Sequence, residues 1–372
     1  MELRSGKMED VVMDSMLNNF YRGKKVLITG HTGFKGSWLL SWLIQAGADV
    51  CGFSLPPFTQ PNHFDLLKFS FLNHSGDINN EQEFTAVLQK FQPEIVFHLA
   101  AQSLVRYSFD HPAETFNTNV VGTMKVLEAS RSCDSVKAIV CITSDKVYKI
   151  SDLPKSYVEG DELGGTDIYS ASKSCAEILV AAYRKSFLQN TSLLLATARA
   201  GNVIGGGDWS PDRLIPDMMI ATSQDQKVVI RNPDFVRPWQ HVLDALSGYL
   251  ILGKKLLEEN DEAADAWNFG PVNEREFTVR SIVESATSIW EKINPVYGSE
   301  VQPFPESRSL FINSAKAVER LQWLPVWNTQ GALQKTIEWY QEFYETGNVI
   351  TLRQLNEYVT AAKQKELAWA QD

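Results

Sequence analysis

No stretch of this 372-residue chain approaches the ~18 consecutive apolar residues that a membrane-crossing helix needs. The opening residues, MELRSGKMEDVVMDSML, mix charges of both signs and lack the apolar core of a signal peptide. A soluble, cytoplasmic protein is expected. Cysteine is scarce: Cys51, Cys133, Cys141 and Cys175 are the whole complement, and none stands in a C-x-x-C pair. That argues against a disulfide framework and points to buried thiols in a reducing compartment. The six histidines are scattered, with no H-E-x-x-H or paired spacing, so no metal site is expected. Basic residues are not in excess either. Lys and Arg number 35 against 45 Asp and Glu, a net charge of −10, which argues against nucleic acid or an anionic membrane as partner. There is no internal repeat and no low-complexity linker.

What is present is an alternation. KVLITG (25–30) and DVCGFSL (49–55) read as strands around GSWLLSWLIQAG (36–47), a helix ending in Gly47. EFTAVLQKFQ (83–92), NVVGTMKVLEASRS (119–132) and DIYSASKSCAEILVAAY (167–183) read as helices. EIVFHLAA (94–101) and VKAIVCIT (136–143) read as strands whose unbroken apolar runs suit burial on both faces. The predicted fold is α/β, a doubly wound parallel sheet. Beyond about residue 200, Gly, Pro and Trp become frequent, as in GNVIGGGDWSPDRLIP, which suggests a smaller, mixed C-terminal lobe around a cleft. The expected division is a flexible extension over 1–20 and a sheet domain over 21–200 with a return segment near 238–270. A ligand-binding lobe over 201–361 and a loose tail over 362–372 complete it.

Gly30, Gly33 and Gly36 fall between the first strand and the first helix, in ITGHTGFKGSW. Glycines there permit a tight turn and close approach of backbone to a pyrophosphate, while the helix N-terminus offers unpaired N–H groups. The spacing is G-x-x-G-x-x-G rather than G-x-G-x-x-G; its place in the first βαβ unit makes it a dinucleotide loop. The second strand ends in GFSLPP. It carries neither an acid for ribose hydroxyls nor an arginine for a 2′-phosphate, and NAD is the expected cofactor. Asp77 and Ile78 close the third strand, where Asp77 either meets the adenine or caps the next helix.

CITSDKVY (141–148) sets Thr143, Ser144, Asp145 and Lys146 where an apolar strand ends, the edge at which open α/β sheets bind ligands. Tyr169 and Lys173 follow on one helix face, four residues apart. An ammonium beside a phenol favours the phenolate and is expected to lower the Tyr169 pKa, making it a base for an alcohol proton.

In these motifs the chain resembles the extended short-chain dehydrogenases/reductases and, among them, the CDP-glucose 4,6-dehydratases. The resembling residues include TGHTGFKGSWL (29–39), EIVFHLAAQSLVR (94–106), TSDKVY (143–148), YSASK (169–173), RAGNVIGGGDW (199–209), DRLIPD (212–217) and VIRNPDFVRPWQHV (229–242). The span is roughly residues 24 to 340. The resemblance implies a Rossmann-type domain with a resident NAD, and a hydro-lyase acting on a nucleotide sugar, CDP-glucose first. Tyr169 would take the 4-OH proton, with Ser144 bonded to the same hydroxyl and Lys173 on the nicotinamide ribose. Hydride would leave C4, water would be lost across C5 and C6, and hydride would return to C6. Asp145 would be the acid at the departing 6-OH, if its pKa is raised in the closed site. Lys146 stands where dTDP-glucose dehydratases carry Glu; it acts either as a base, through a pKa lowered by burial, or as an ammonium that stabilises the enolate.

The resemblance also assigns contacts. Thr32, Phe34 and Lys35 join the three loop glycines on the cofactor. Asp77, Ile78 and Asn119 join them too, with Leu99, Ala100 and Ala101 after the fourth strand. Asn202 and Arg237 fall on the diphosphate, although Arg237 also suits a structural ion pair. Leu214 and Pro216 lie near the base, and Gln102, Arg106 and Arg308 at the sugar or phosphate. The segment 149–165 is only loosely like the family, and Ser309 stands where an aromatic is usual. A 4-epimerase on the same scaffold would need only Ser144, Tyr169 and Lys173, and Asp145 with Lys146 counts against it. A non-catalytic NAD-binding regulator is opposed by the presence of Tyr169 and Lys173. A homodimer or a dimer of dimers is implied, through helices at about 112–132 and 167–187. The stripe Ala176, Leu179, Val180 and Tyr183 serves that interface or packs on the sheet. The product would feed deoxy sugars of a bacterial surface polysaccharide such as an O-antigen.

Overall fold

The computed structural model describes residues 14–151, 155–272, 277–298 and 309–371. Seven parallel strands form its main sheet. β1 (Lys25–Thr29), β2 (Asp49–Ser54), β3 (Leu72–Ser75), β4 (Ile95–His98) and β5 (Ala138–Ile142) are followed by the strands Leu194–Arg199 and Ala266–Asn268. The chain builds outward from β1 to β2 and β3, then crosses back to place β4, β5 and the last two strands on its other side. Strand order reverses between β1 and β4, so the loops at their C-terminal ends diverge and leave a crevice.

Alternation of side chains along each strand divides the core. Val26, Ile28, Phe97, Val140 and Ala198 face the helices Phe34–Gln45 and Val242–Leu257. Leu27, Val96, Ile139 and Cys141 face the helices Glu81–Phe91, Thr123–Arg131 and Ile168–Tyr183. The expected stripe is thereby settled: Ala176, Val180 and Tyr183 are buried, with Leu179 packed beside Val180 and Tyr183 under the sheet. The exposed apolar side chains of that layer are Met124, Ile178 and Phe187.

Three parallel two-stranded pieces shape the smaller lobe: Val203–Ile204 with Gln240–His241, Val228–Ile230 with Pro295–Tyr297, and Ser156–Tyr157 with Phe311–Ile312. The segment 242–268 supplies a buried helix and the edge strand of the main sheet.

The expectation of loose ends fails within the described residues. A short helix, Met16–Tyr21, buries Leu17 and Tyr21, and the Tyr21 hydroxyl donates to the Leu250 carbonyl at 2.7 Å. Met16 N–H donates to the Gln371 carbonyl, and Trp369 packs on Trp42. A few apolar side chains in polar surroundings outweigh the local composition, because each buried aromatic removes roughly 150–250 Å² from water.

Burial also holds histidines neutral. His63, His98 and His241 are pushed down to about 3 and His31 to about 4. Their unfolded forms take a proton near 6.5, so the stability they contribute above that pH is lost as pH falls. Asp244, raised to about 7, Asp217, raised to about 6, and Glu159, raised by burial, work in the opposite sense. Four groups oppose three, and the thermal midpoint is expected to be lower at pH 5 than at pH 7. Equal midpoints in a calorimetric pH series would contradict this.

Candidate active site

The loop after β1 is shaped by close backbone contact. Gly30 has φ +73°, and a Cβ on it would lie 2.6 Å from the Ala100 nitrogen. A Cβ on Gly36 would lie 2.1 Å from the Gly30 carbonyl oxygen. Gly33 differs: a Cβ there would meet only the Gly30 oxygen, at 3.4 Å. Gly33 precedes the helix Phe34–Gln45 with no side-chain cap, so the first-turn N–H groups are available to an anion. Thr29 accepts the Ala100 N–H, setting the turn Leu99-Ala100-Ala101. Thr32 bonds Ser54 and donates to the Leu55 carbonyl, holding the end of β2 against the loop. Phe34 packs on the core and Ile78 is buried. Asp77 accepts the Asn79 N–H at 2.9 Å. The helix Glu81–Phe91 is capped instead by Asn80, so Asp77 is not its cap.

β5 and the strand Leu194–Arg199 deliver the reactive groups. Ile142 pairs with Ala198, so Thr143-Ser144-Asp145 and Ala200-Gly201-Asn202 leave the sheet together. Ser144 is extended and opens a 3-10 turn over Asp145–Val147; its Oγ accepts Lys146 N–H at 3.2 Å and donates to Asp145 Oδ1 at 3.0 Å. The Asp145 carboxylate, 2% exposed, lies against Gly201, where a Cβ would fall 1.9 Å from Oδ2. Asn202 Nδ2 donates to the same oxygen at 3.4 Å.

Tyr169 and Lys173 come from the first two turns of the helix Ile168–Tyr183, which Asp167 caps by accepting Ser170 N–H at 2.9 Å. Both are buried. The expected lowering of the Tyr169 pKa is absent from this arrangement. Burial raises the phenol to about 12, against a hydrogen bond with Ser144 and the Arg213 charge. Lys173 donates to the Ile142 carbonyl at 3.3 Å, below the phenol rather than on it, and burial lowers its ammonium to about 8.

Ser144, Asp145, Lys146 and Tyr169 share a cavity of about 400 Å³. Arg106, Asn202, Leu214, Pro216 and Arg237 line it as well. Arg237 stacks on Phe235 and donates to the Val236 carbonyl. Arg308 lies outside the described residues. Gln102 is turned into its own loop: its amide donates to Leu104 and Thr115 and accepts Leu104 N–H. Asn119 is similarly engaged, accepting Gln102 N–H and donating to the Gln102 carbonyl and the Ser172 hydroxyl, each at 2.9 Å. These two side chains therefore position the loop after β4 against the helix Ile168–Tyr183. Lys35, expected on the cofactor, is turned into the cavity, where burial and the Arg213 charge lower it to about 8.

Two cations of the cavity escaped the sequence reading. Arg213 donates to Asp208 at 2.9 Å and reaches Ser103, and Arg231 pairs with Asp212 and Asp217. Both stand inside motifs already quoted, DRLIPD and VIRNPDFVRPW. Nothing in a linear string says which arginine of such a motif faces inward.

A model of the GDP-mannose 4,6-dehydratase family matches residues 27–336. The chain belongs to this family. It is 41% identical to the CDP-glucose 4,6-dehydratase of Salmonella typhimurium, over 92% of this chain and 98% of that protein. Among solved structures, MoeE5 in complex with UDP-glucose and NAD is 25% identical, with a TM-score of 0.73 over 86% of this chain and 99% of that one. The UDP-glucose 4-epimerase of Thermotoga maritima shares the fold, with a TM-score of 0.74 and 22% identity over 86% of this chain and all of that one. One fold is thus shared by proteins named as a 4,6-dehydratase family and as a 4-epimerase, so the fold alone does not tell the two apart.

Replacing Asn119 with Ala would leave the Gln102 backbone N–H and carbonyl without the side chain that satisfies both, while the Ser172 hydroxyl keeps its bond to the Tyr169 carbonyl. The expected loss is about 2 kcal/mol of unfolding free energy, measured by urea titration.

Proposed function

We propose that this chain is a nucleotide-sugar 4,6-dehydratase that converts CDP-glucose to CDP-4-keto-6-deoxyglucose and water. The observation that carries this reading is one cavity lined by Asp145 and Lys146 as well as Ser144 and Tyr169. With Lys173 and a nicotinamide cofactor as hydride acceptor, the last two suffice to oxidise and reduce an alcohol; the first two add an acid and an amine, which elimination of water needs and epimerisation at C4 does not. The 41% identity to a CDP-glucose dehydratase supports the nucleotide.

NAD fits the residues present. The protein's own contacts leave room for a Cβ at Gly33, yet a pyrophosphate approaching the helix N-terminus would fill it. Gly30, Gly33 and Gly36 would hold the pyrophosphate, with Thr32 and Phe34 beside it. Asp77 and Ile78 would face the adenine side, and Leu99, Ala100 and Ala101 the middle of the cofactor. When bound, NAD+ accepts a hydride from C4 of the sugar and later returns it at C6.

The chain's own groups do the rest. Tyr169 receives the 4-OH proton, with Ser144 holding the same oxygen. Lys173, as an ammonium, favours the phenolate through its charge and is a donor for the ribose. With the 4-ketone formed, the C5 proton becomes acidic. Asp145 gives a proton to the departing 6-OH. Lys146 takes the C5 proton as an amine, offsets the enolate charge as the ammonium so formed, and returns the proton to C5 when hydride reaches C6. Arg237 and Arg231 offer guanidinium forks to the diphosphate, and Leu214 and Pro216 an apolar wall to the base. Assembly is read from the surface: Met124, Ile178 and Phe187 are exposed on adjacent helices and form the apolar face through which two copies would pair as a cytosolic homodimer. The product class suits the making of deoxy sugars for a surface polysaccharide.

Incubation with CDP-glucose, dTDP-glucose, UDP-glucose and GDP-mannose, with and without NAD+, is expected to give loss of one water from CDP-glucose alone by mass spectrometry. Water loss from another sugar would move the nucleotide; a change of stereochemistry without water loss would favour the epimerase. Tyr169→Phe is expected to abolish turnover while NAD binding by calorimetry is retained. Asp145→Asn should still oxidise C4 but release little product, seen as reduced-nicotinamide absorbance that persists through the reaction.

A further inference from the structure

Behind the cavity lies an ion pair that touches none of its open space. Glu177 and Arg199 are 2.7 Å apart, with side chains 2% and 3% exposed. Glu177 stands one helical turn beyond Lys173. Its carboxylate accepts the hydroxyls of Thr143 and Thr197 as well as Arg199 Nη2. Thr143 is the residue before Ser144-Asp145. Arg199 is the residue before Ala200-Gly201-Asn202, the backbone and amide against which the Asp145 carboxylate rests. The other guanidinium arm donates to the Tyr148 hydroxyl at 2.8 Å and to the Glu159 carbonyl at 3.2 Å. Tyr148 closes the far side of the turn that carries Asp145 and Lys146, and in turn donates to Asn268 at 2.7 Å.

A buried pair of this kind carries a heavy desolvation cost, and a hydrophobic pair of similar volume is often as stable. Its presence here therefore calls for a role other than stability. We propose that the Glu177–Arg199 pair is the positioning element of the reaction centre: it locks the two strand ends that bring Asp145 against Gly201 and Asn202, and sets a carboxylate one turn from Lys173. This rests on the proposed roles of Asp145 and Lys173. The charged and titratable groups that interact with Lys173 are Cys141 of β5, His98 of β4, Lys35 of the helix Phe34–Gln45 and Glu177 of its own helix, where Tyr169 stands one turn before it. Glu177 is the carboxylate among them. It opposes the lowering that burial imposes on the ammonium, so its loss would discharge Lys173 at a lower pH.

The test is the double variant Glu177→Gln/Arg199→Met, which leaves no unpaired charge inside the protein, beside each single variant. Folding is followed by circular dichroism, and local order by amide hydrogen exchange. Expected in the double variant are a native spectrum and faster exchange confined to residues 143–148 and 200–203. Its kcat on CDP-glucose should fall at least tenfold with KM unchanged, and the alkaline limb of the kcat profile should move to lower pH. Wild-type exchange together with wild-type kcat and pH profile in the double variant would overturn the proposal. Should the wild type itself release no water from any nucleotide sugar, the functional reading fails. The exchange pattern then still decides whether the pair orders these two segments.

Discussion

Everything at the cavity hangs on the parallel register between β5 and the strand Leu194–Arg199. With Ile142 opposite Ala198, the residue after one strand's end and the last of the other, Thr143 and Arg199, fall within reach of Glu177. Slipping the pairing by one residue would turn every side chain to the other face of the sheet. Asp145 would lose Gly201 and Asn202, and Tyr169 would face a different set of groups. Register here is a chemical constraint, because it fixes which proton donors meet which acceptors.

That constraint is supported from both faces. The helix Ile168–Tyr183 packs its apolar residues under the sheet while its first two turns present Tyr169 and Lys173. Asn119 and Gln102 tie this helix to the loop after β4. Asn119 sits in a π-helical turn, Asn117–Gly122, a distortion that frequently marks functional sites. On the opposite face, the helix Val242–Leu257 shares a core with Val26, Ile28, Phe97 and Val140, and Tyr21 lies against Phe97. Tyr169, Lys173 and the Thr143-Ser144-Asp145 turn therefore sit at helix and strand ends held by the packed sheet.

The electrostatics of the cavity differ from what a Tyr–Lys pair in isolation suggests. Lys35, Arg213, Asp145 and Asp208 line the cavity, and Lys35 feels the charges of the other three as well as that of Lys173. Burial acts first on each of Tyr169, Lys173 and Lys35, favouring its neutral form. A phenol raised to about 12 is a poor base until further positive charge enters the site.

Much of the protein was legible in the string. Alternating apolar runs and amphipathic stretches determine a parallel α/β sheet, because the two periodicities have no other common packing. The glycine spacing marks the loop after β1, and TSDK with YSASK contributes Ser144, Asp145, Lys146 and Tyr169 to one cavity, since each motif is local and each needs particular side chains in a particular order. Other features belong only to the folded chain. Gln102 and Asn119 look like ligands in a motif and are braces in space. Arg213, Arg231 and the inward turn of Lys35 depend on which face of a loop meets the cavity. The ordering of residues 14–21 and 362–371 depends on Tyr21 reaching Leu250, Trp42 donating to Asn18 and Trp369 packing on Trp42. The Glu177–Arg199 pair is formed by a helix and a strand that only the sheet brings together. Sequence determines what repeats or is local; contacts between distant segments, and the burial that shifts each ionisable group, are decided by the tertiary fold.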